Sequence, residues 1–324
     1  MGALGGRRDD VGLTPQLYGR PPTRLFADHV AGGAQTASLE PVRRTRDHRA
    51  GRGRHSTGYP PGVTEHDLLT RELVATWDAG AATYDGLPRH GIRHDDERRA
   101  WRRLVAAILG DPAHASVPKL RVLDVGTGTG VLAFLAAELG HDVTAIDLSP
   151  GMLRQARRHA LDAGLAVTWL EGDAEAPPVE PGGFDAVISR HLVWTLIDPE
   201  RAIAAWREQL RPDGLVAVID GWYARRPLPL RLAEVAASRL AKRGVGSDAH
   251  EHPYRPDQLA RLPLARQSGM GAIANEMSAA GLTHVRVRPL IEIERVERAH
   301  QSFVERLADP WSRYLATGRS PRET

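Results

Sequence analysis

The chain has 324 residues, no cysteine, 42% hydrophobic residues and a formal net charge of +3. This length suits one α/β domain with additions, or two small domains. The lack of cysteine excludes disulfides, thiolate zinc sites and a cysteine nucleophile. No apolar run approaches the ~20 residues that span a bilayer, and no apolar core of secretory type opens the chain. We therefore expect a cytoplasmic protein with no membrane partner.

The charge is uneven. Residues 1–60 carry ten arginines against five acidic residues, leaving the remainder slightly negative. Arginine outnumbers lysine 41 to 2, which together with abundant Ala, Gly and Pro points to a GC-rich genome more than to a function. Residues 1–62, rich in Gly, Pro and Arg, read as a disordered tail. Clustered arginines could serve a nucleic-acid-binding arm. The scarcity of aromatics for base stacking favours a solvated tail, or a start site placed too far upstream, so nucleic acid is not expected as a partner.

Residues 63–118 read as a helical cap. Leu68, Leu69, Leu73 and Val74 form one amphipathic stretch; Trp101, Leu104, Val105 and Ile108 form a second, stopped by Gly110-Asp111-Pro112. Residues 119–220 read as an alternating strand–helix core. A first strand, Leu120 to Val122, runs into Asp124 and three glycines at alternate positions, Gly126, Gly128 and Gly130. A helix follows, with Leu132, Leu135 and Leu139 on one face and Gly140 as its stop. Glycine suits a sharp turn where a ligand must approach the main chain, and the next helix presents unsatisfied N–H groups to that ligand. Gly128 to Ala133 also satisfies the loose dinucleotide pattern G-x-G-x-x-G/A. Asp124 argues against that use, because a carboxylate there would face a diphosphate, whereas it favours a cationic, phosphate-free nucleoside.

The second strand, Val143 to Asp147, ends in a carboxylate placed to accept from ribose hydroxyls; a helix-capping aspartate is the alternative. Ser149 suits an N-cap, Pro150 the first helical position and Gly164 the C-terminal stop. A third strand, Ala166 to Leu170, leads to Glu171-Gly172-Asp173-Ala174, where Asp173 could equally be a turn residue. The fourth spans Phe184 to Ser189 and the fifth Gly214 to Asp220. Residues 221–268 read as a substrate-side insertion with Trp222, Tyr223, a helical stretch from Leu230 to Leu240, and His250-Glu251-His252. An H-x-H on a loop without a matched second cluster reads as surface, so no metal is expected. Residues 269–318 return to the core through a helix over 272–280, a strand Thr283 to Pro289, a helix Ile293 to Leu307 and a last strand Ser312 to Thr317, before a short tail at 319–324.

The D-x-G-x-G-x-G string at Asp124–Gly130 closely resembles motif I of class I S-adenosylmethionine-dependent methyltransferases. The D-x-S-x-x-M-L stretch at Asp147, the Gly172-Asp173-Ala174 turn and the F-D-x-V start at Phe184 resemble the same family, as does Trp77-Asp78-Ala79-Gly80-Ala81-Ala82-Thr83-Tyr84-Asp85. The likeness, closest to the ubiquinone and menaquinone branch, runs motif by motif over 118–220 and more loosely over 72–118 and 269–318. It implies a Rossmann-like, doubly wound sheet of seven strands in order 3-2-1-4-5-7-6, the last antiparallel, and S-adenosyl-L-methionine as cofactor. It also implies binding roles. Asp124, Gly126, Thr127, Gly128 and Gly130 would form the glycine elbow and Asp147 would meet the ribose. Leu148 and Met152 would pack on the adenine, and Asp173 and the Ala174 N–H would meet its edge. Tyr84 would lie over the methionine end, unless it merely anchors the cap, and the Arg190 backbone would hold the ammonium.

Methyl transfer is an in-line displacement, mainly a matter of alignment. A general base is needed only if the acceptor must lose a proton. His191, just beyond the fourth strand, is the best candidate for one; a structural histidine is the alternative. The segment Ser189–Trp194 lacks the [N/D]-P-P-[Y/F] string of amide- and adenine-methylating relatives, which leaves a small-molecule acceptor. The missing cysteines argue against pyrimidine C5 and arsenite chemistry. An NAD(P)-dependent oxidoreductase and a catalytically silent binding relative stay open, as does a homo-oligomer.

Overall fold

A computed structural model of the chain describes residues 63–322, apart from 88, 115, 224–253, 266–269 and 309–310. Seven strands form one sheet in the order β3-β2-β1-β4-β5-β7-β6. They are β1 (Arg121–Val125), β2 (Asp142–Asp147), β3 (Thr168–Glu171), β4 (Phe184–Arg190), β5 (Leu210–Tyr223), β6 (Thr283–Pro289) and β7 (Trp311–Arg319). The first five are mutually parallel, and β7 runs antiparallel between β5 and β6. This is the sheet that the family resemblance implied.

The central strands are apolar on both faces, as a covered parallel sheet requires. Val122, Leu123 and Val125 of β1 and Ala186 and Val187 of β4 are fully buried. One face packs on α5 (Pro199–Gln209) and α7 (Met270–Ala279) through Ile203, Trp206, Ile273 and Met277. The indole of Trp206 is satisfied there, Nε1 donating to the Ala174 carbonyl at 2.7 Å. The other face carries α2 (Asp95–Leu109), α3 (Val131–Glu138) and α8 (Ile291–Ala299) through Trp101, Leu104, Leu132, Leu135 and Ile293.

Local signals explain the helix ends. α1 (Glu65–Gly80) starts at a capping box in which Thr64 Oγ1 accepts from the Asp67 N–H and Asp67 accepts from the Thr64 N–H. α4 (Pro150–Ala163) has Ser149 as N-cap, Pro150 at its first position and a left-handed Gly164 at its end. From the insertion, Tyr254 and Leu262 pack on Leu69 and Leu73 of α1, with the short α6 (Pro256–Leu259) beside them. Arg255 and Gln258 tie that segment down by donating to Glu72 at 2.9 and 3.1 Å. The residues 1–62, the helical stretch 230–240 and His250-Glu251-His252 lie outside the described residues.

The largest boundary differences from the sequence expectation are three. β1 continues to Val125, because Asp124 and Val125 pair with Ala145 and Ile146 of β2. β5 begins at Leu210 and reaches Tyr223, with a register shift between Phe184 and Ala186 of β4 absorbing the turn near Asp213. The single helix expected over 293–307 is two, α8 and α9 (Phe303–Ala308). Ser302 and Glu305 start the second by reciprocal capping, at 2.6 and 3.2 Å, so the chain restarts a helix instead of continuing one.

The strand order reverses between β1 and β4. Open α/β sheets bind ligands in the crevice beyond the strand ends at such a reversal.

Candidate active site

A cleft opens beyond the carboxyl ends of β1, β2 and β4. Its floor is the glycine elbow. Gly128 has a left-handed φ of +57°, and a Cβ there would meet only the Tyr84 ring at 3.8 Å, so the main chain is open to a close visitor. Gly126, at φ +64°, is tighter: a Cβ would come within 2.7 Å of the Leu192 side chain.

Asp147 joins two of the sequence motifs. One carboxylate oxygen accepts from the Gly128 N–H and the other from the Ser149 N–H, both at 2.8 Å. Burial pushes its pKa up to about 6, the two backbone donors opposing and Asp78 adding to the rise. Leu148, Met152, Asp173 and Ala174 line the same cleft, as do Gly126, Tyr84, Arg190 and His191. Asp173 Oδ1 also accepts from the Glu175 N–H at 2.8 Å. Asp124 and Thr127 border a smaller adjoining pocket. Asp124 Oδ2 accepts from the Thr127 hydroxyl at 2.7 Å and from the Ala133 N–H at 3.1 Å, which fastens the elbow to the first turn of α3. Burial raises its pKa to about 7, against the Thr127 hydrogen bond. Gly130 lines neither space; at φ +95° it is the N-cap of α3.

His191 meets two charged side chains. It reaches the cleft, but its Nε2 lies 2.6 Å from Nη1 of Arg313, which can only donate, and its Nδ1 lies 3.9 Å from Asp220 Oδ1. The lone pair a general base would use is therefore taken. Burial first and Arg313 second hold its pKa well below the ordinary imidazole value. This geometry supports the structural alternative weighed for His191, a histidine held by a guanidinium.

Arg313, fully buried on β7, also donates from Nε to Glu297 Oε2 at 2.9 Å and from Nη2 to the Arg89 carbonyl at 2.8 Å. Arg190 donates to the same Arg89 carbonyl at 2.7 Å and to the His90 carbonyl at 2.9 Å. Both guanidinium groups lie over the Trp101 ring, at 4.7 Å for Arg190 and 5.4 Å for Arg313. Together they pin the loop after Tyr84 against the sheet. Burial, then Arg313, lowers the Arg190 pKa to about 10. Burial likewise pushes the Tyr84 hydroxyl up to about 12, so it stays protonated beside the elbow.

Sequence reasoning missed several participants. Asp78 Oδ1 accepts from the Ser149 hydroxyl at 2.5 Å and the Gly151 N–H at 2.7 Å, docking the end of α1 on the start of α4. Its signal was present in the Trp77-Asp78 pair. Glu175 Oε1 accepts from the Ile197 and Asp198 N–H groups at 2.7 and 3.1 Å, and burial raises its pKa. Leu73, Val74 and Trp77, with Tyr254 from the insertion expected to wall the acceptor pocket, give the cleft an apolar, aromatic side. Trp77 packs edge-on to both Tyr84 and Tyr254, with centroids 5.8 and 5.4 Å apart. No local pattern announces Arg313, one of 41 arginines.

Residues 123–218 match the family described as a methyltransferase domain. The ubiquinone biosynthesis O-methyltransferase of Xanthomonas campestris pv. campestris is 35% identical over 166 residues, 49% of this chain and 69% of that protein. The chain belongs to the class I S-adenosylmethionine-dependent methyltransferases. The demethylmenaquinone methyltransferase of Renibacterium salmoninarum, another similar protein, is 34% identical over 148 residues, 44% of this chain and 59% of that protein. Among solved structures, the [4+2]-cyclase SpnF shares the fold with a TM-score of 0.53 at 19% identity, over 78% of this chain and 97% of that one.

S-adenosyl-L-methionine is the cofactor of this methyltransferase, and the cleft fits it. The elbow is open at Gly128, the carboxylate of Asp147 reaches the cleft, and Leu148 and Met152 offer an apolar patch. Among the described residues, no helix is long and apolar enough to cross a membrane.

Proposed function

We propose that this methyltransferase moves the methyl group of S-adenosyl-L-methionine to a small molecule with an apolar or aromatic body. The observation that carries the reading is the chemical asymmetry of the cleft. One wall is polar backbone and carboxylate, around Gly126, Gly128, Asp147 and Asp173; the other is Leu73, Val74, Trp77 and Tyr254. A cofactor with a polar methionine end and a flat adenine suits the first, and the second suits a body that gains by leaving water.

When bound, the cofactor supplies an electrophilic methyl group on a sulfonium. The chain's own residues bind and orient. Each Asp147 oxygen spends one lone pair on a backbone N–H and keeps another for a ribose hydroxyl. Leu148 and Met152 would pack on the adenine, and Asp173 with the Ala174 N–H would meet its edge. The Gly126–Gly130 elbow, Asp124 and Thr127 would shape the site of the methionine end, which Tyr84 would cover and whose ammonium the Arg190 backbone would take. The α1 wall excludes water from the reacting atoms. With the His191 lone pair held by Arg313, the acceptor brings its own nucleophilic electrons, as a readily ionised hydroxyl, an activated carbon or an amine does. The protein's contribution is alignment more than proton removal.

The test is transfer of an isotopically labelled methyl group to a panel of phenols, hydroquinones and amines of graded hydrophobicity. Leu73→Gln should raise KM for the best acceptor about tenfold while S-adenosylhomocysteine affinity stays unchanged. If only hydrophilic acceptors are methylated, or Leu73→Gln leaves KM alone, the apolar assignment is wrong.

A further inference from the structure

A second cluster of chemistry lies away from the cleft, where the start of α2 meets the end of α8. His94 is the N-cap of α2, Glu97 sits in its first turn and His300 is the C-cap of α8. One ligand atom from each lies within 4.8 Å of the others. The two imidazoles stack with centroids 3.7 Å apart and planes 12° from parallel. Both histidines are exposed and Glu97 is buried.

We infer that His94, Glu97 and His300 form a binding site for a divalent transition-metal ion of the zinc type, which joins α2 to α8. Three observations support it. The donor set, two imidazoles and one carboxylate, is that of open zinc sites, with remaining positions left to water. His300 is already oriented from behind: its Nε2 lies 2.8 and 2.9 Å from the two oxygens of Asp96, which leaves Nδ1 for the ion. A carboxylate behind a ligating imidazole fixes its tautomer and raises its basicity. Glu97 is oriented in the same way, Oε2 accepting from the Arg93 and His94 N–H groups at 2.9 and 3.3 Å, with its second oxygen left over.

The electrostatics agree. Asp95, Asp96 and Glu97 in the first turn of α2 offset the positive end of that helix, and the C-terminal end of α8 favours a cation. Lone pairs of parallel rings do not converge, so capture turns the exposed His94 ring out of the stack. The ion would couple the cap to α8, the helix that presents Glu297 to Arg313. None of the three ligands lines the cleft, so the site is independent of the methyl-transfer reading.

The test uses the full chain, purified without a polyhistidine tag and stripped by a chelator, titrated with Zn²⁺ and with Co²⁺. We expect one tightly held Zn²⁺ that raises Tm, and Co²⁺ d–d absorption bands on the wild-type protein. His94→Ala and His300→Ala should each weaken binding at least tenfold, and Asp96→Asn about tenfold. S-adenosylhomocysteine binding reports that each variant is folded. Absence of the Co²⁺ bands, or Zn²⁺ binding unchanged in the double variant His94→Ala/His300→Ala, would overturn the site.

Discussion

Replacing Arg313 with methionine keeps much of the apolar stem but removes the guanidinium that closes the back of the cleft. Three side-chain hydrogen bonds are lost: to the Glu297 carboxylate at 2.9 Å, to His191 Nε2 at 2.6 Å and to the Arg89 carbonyl at 2.8 Å. A bond to a buried carboxylate counts about 2 kcal/mol and each neutral one about 1 kcal/mol, for a total of about 4 kcal/mol. Stranding the buried Glu297 charge leads to the same figure, since breaking one side of a buried pair costs about 3–5 kcal/mol. His191 and Arg89 are both non-glycine residues at positive φ, 59° and 67°, so the guanidinium also holds two strained residues in place. Urea unfolding should show a loss of about 4 kcal/mol and a Tm lower by about 10 °C. Adding Glu297→Gln should recover about half, because the stranded charge is gone. A loss below about 1 kcal/mol, or a further drop on adding Glu297→Gln, would refute the reasoning.

Two other outcomes follow from the elbow. Gly126→Ala puts a Cβ 2.7 Å from Leu192 at φ +64°, and should cost about 1–3 kcal/mol of stability together with most cofactor affinity; equilibrium unfolding and calorimetry check both. Asp124 has a folded pKa near 7 against an ordinary 3.8, so the folded state keeps a proton that the unfolded chain releases. Between about pH 4 and 7 this makes stability fall as pH rises, by up to about 4 kcal/mol. Asp124→Asn should flatten that decline in the cofactor-free protein; parallel pH profiles for the two proteins would count against the buried carboxylate.

The sheet was legible because its signals are local. Val143 to Asp147 and Phe184 to Ser189 are short apolar runs, and Ser149, Pro150 and Gly164 mark both ends of α4. The elbow could be read because three glycines two apart have few other uses. The errors lie where tertiary pairing decides. The extension of β1 through Asp124 depends on β2, and the split at Ser302 depends on a cap that was present in the sequence as Ser302-Phe303-Val304-Glu305 but masked by an apolar periodicity. The Arg313 partner of His191 could not be read because it lies 122 residues away, and no spacing rule ties one arginine on the last strand to one histidine after the fourth. Asp78 was within a quoted motif, yet its task, capping α4 from α1, depends on how the cap docks.

The most direct test is isothermal titration of S-adenosylhomocysteine into the wild-type chain and into Asp147→Ala, with NAD as the comparison ligand. One molecule should bind per chain. Asp147→Ala should weaken it at least tenfold, because it removes the carboxylate that links the Gly128 and Ser149 N–H groups and lines the cleft. NAD should give no heat. Equal affinity in the two proteins, or saturable binding of NAD in place of S-adenosylhomocysteine, would contradict the cofactor site described for this cleft.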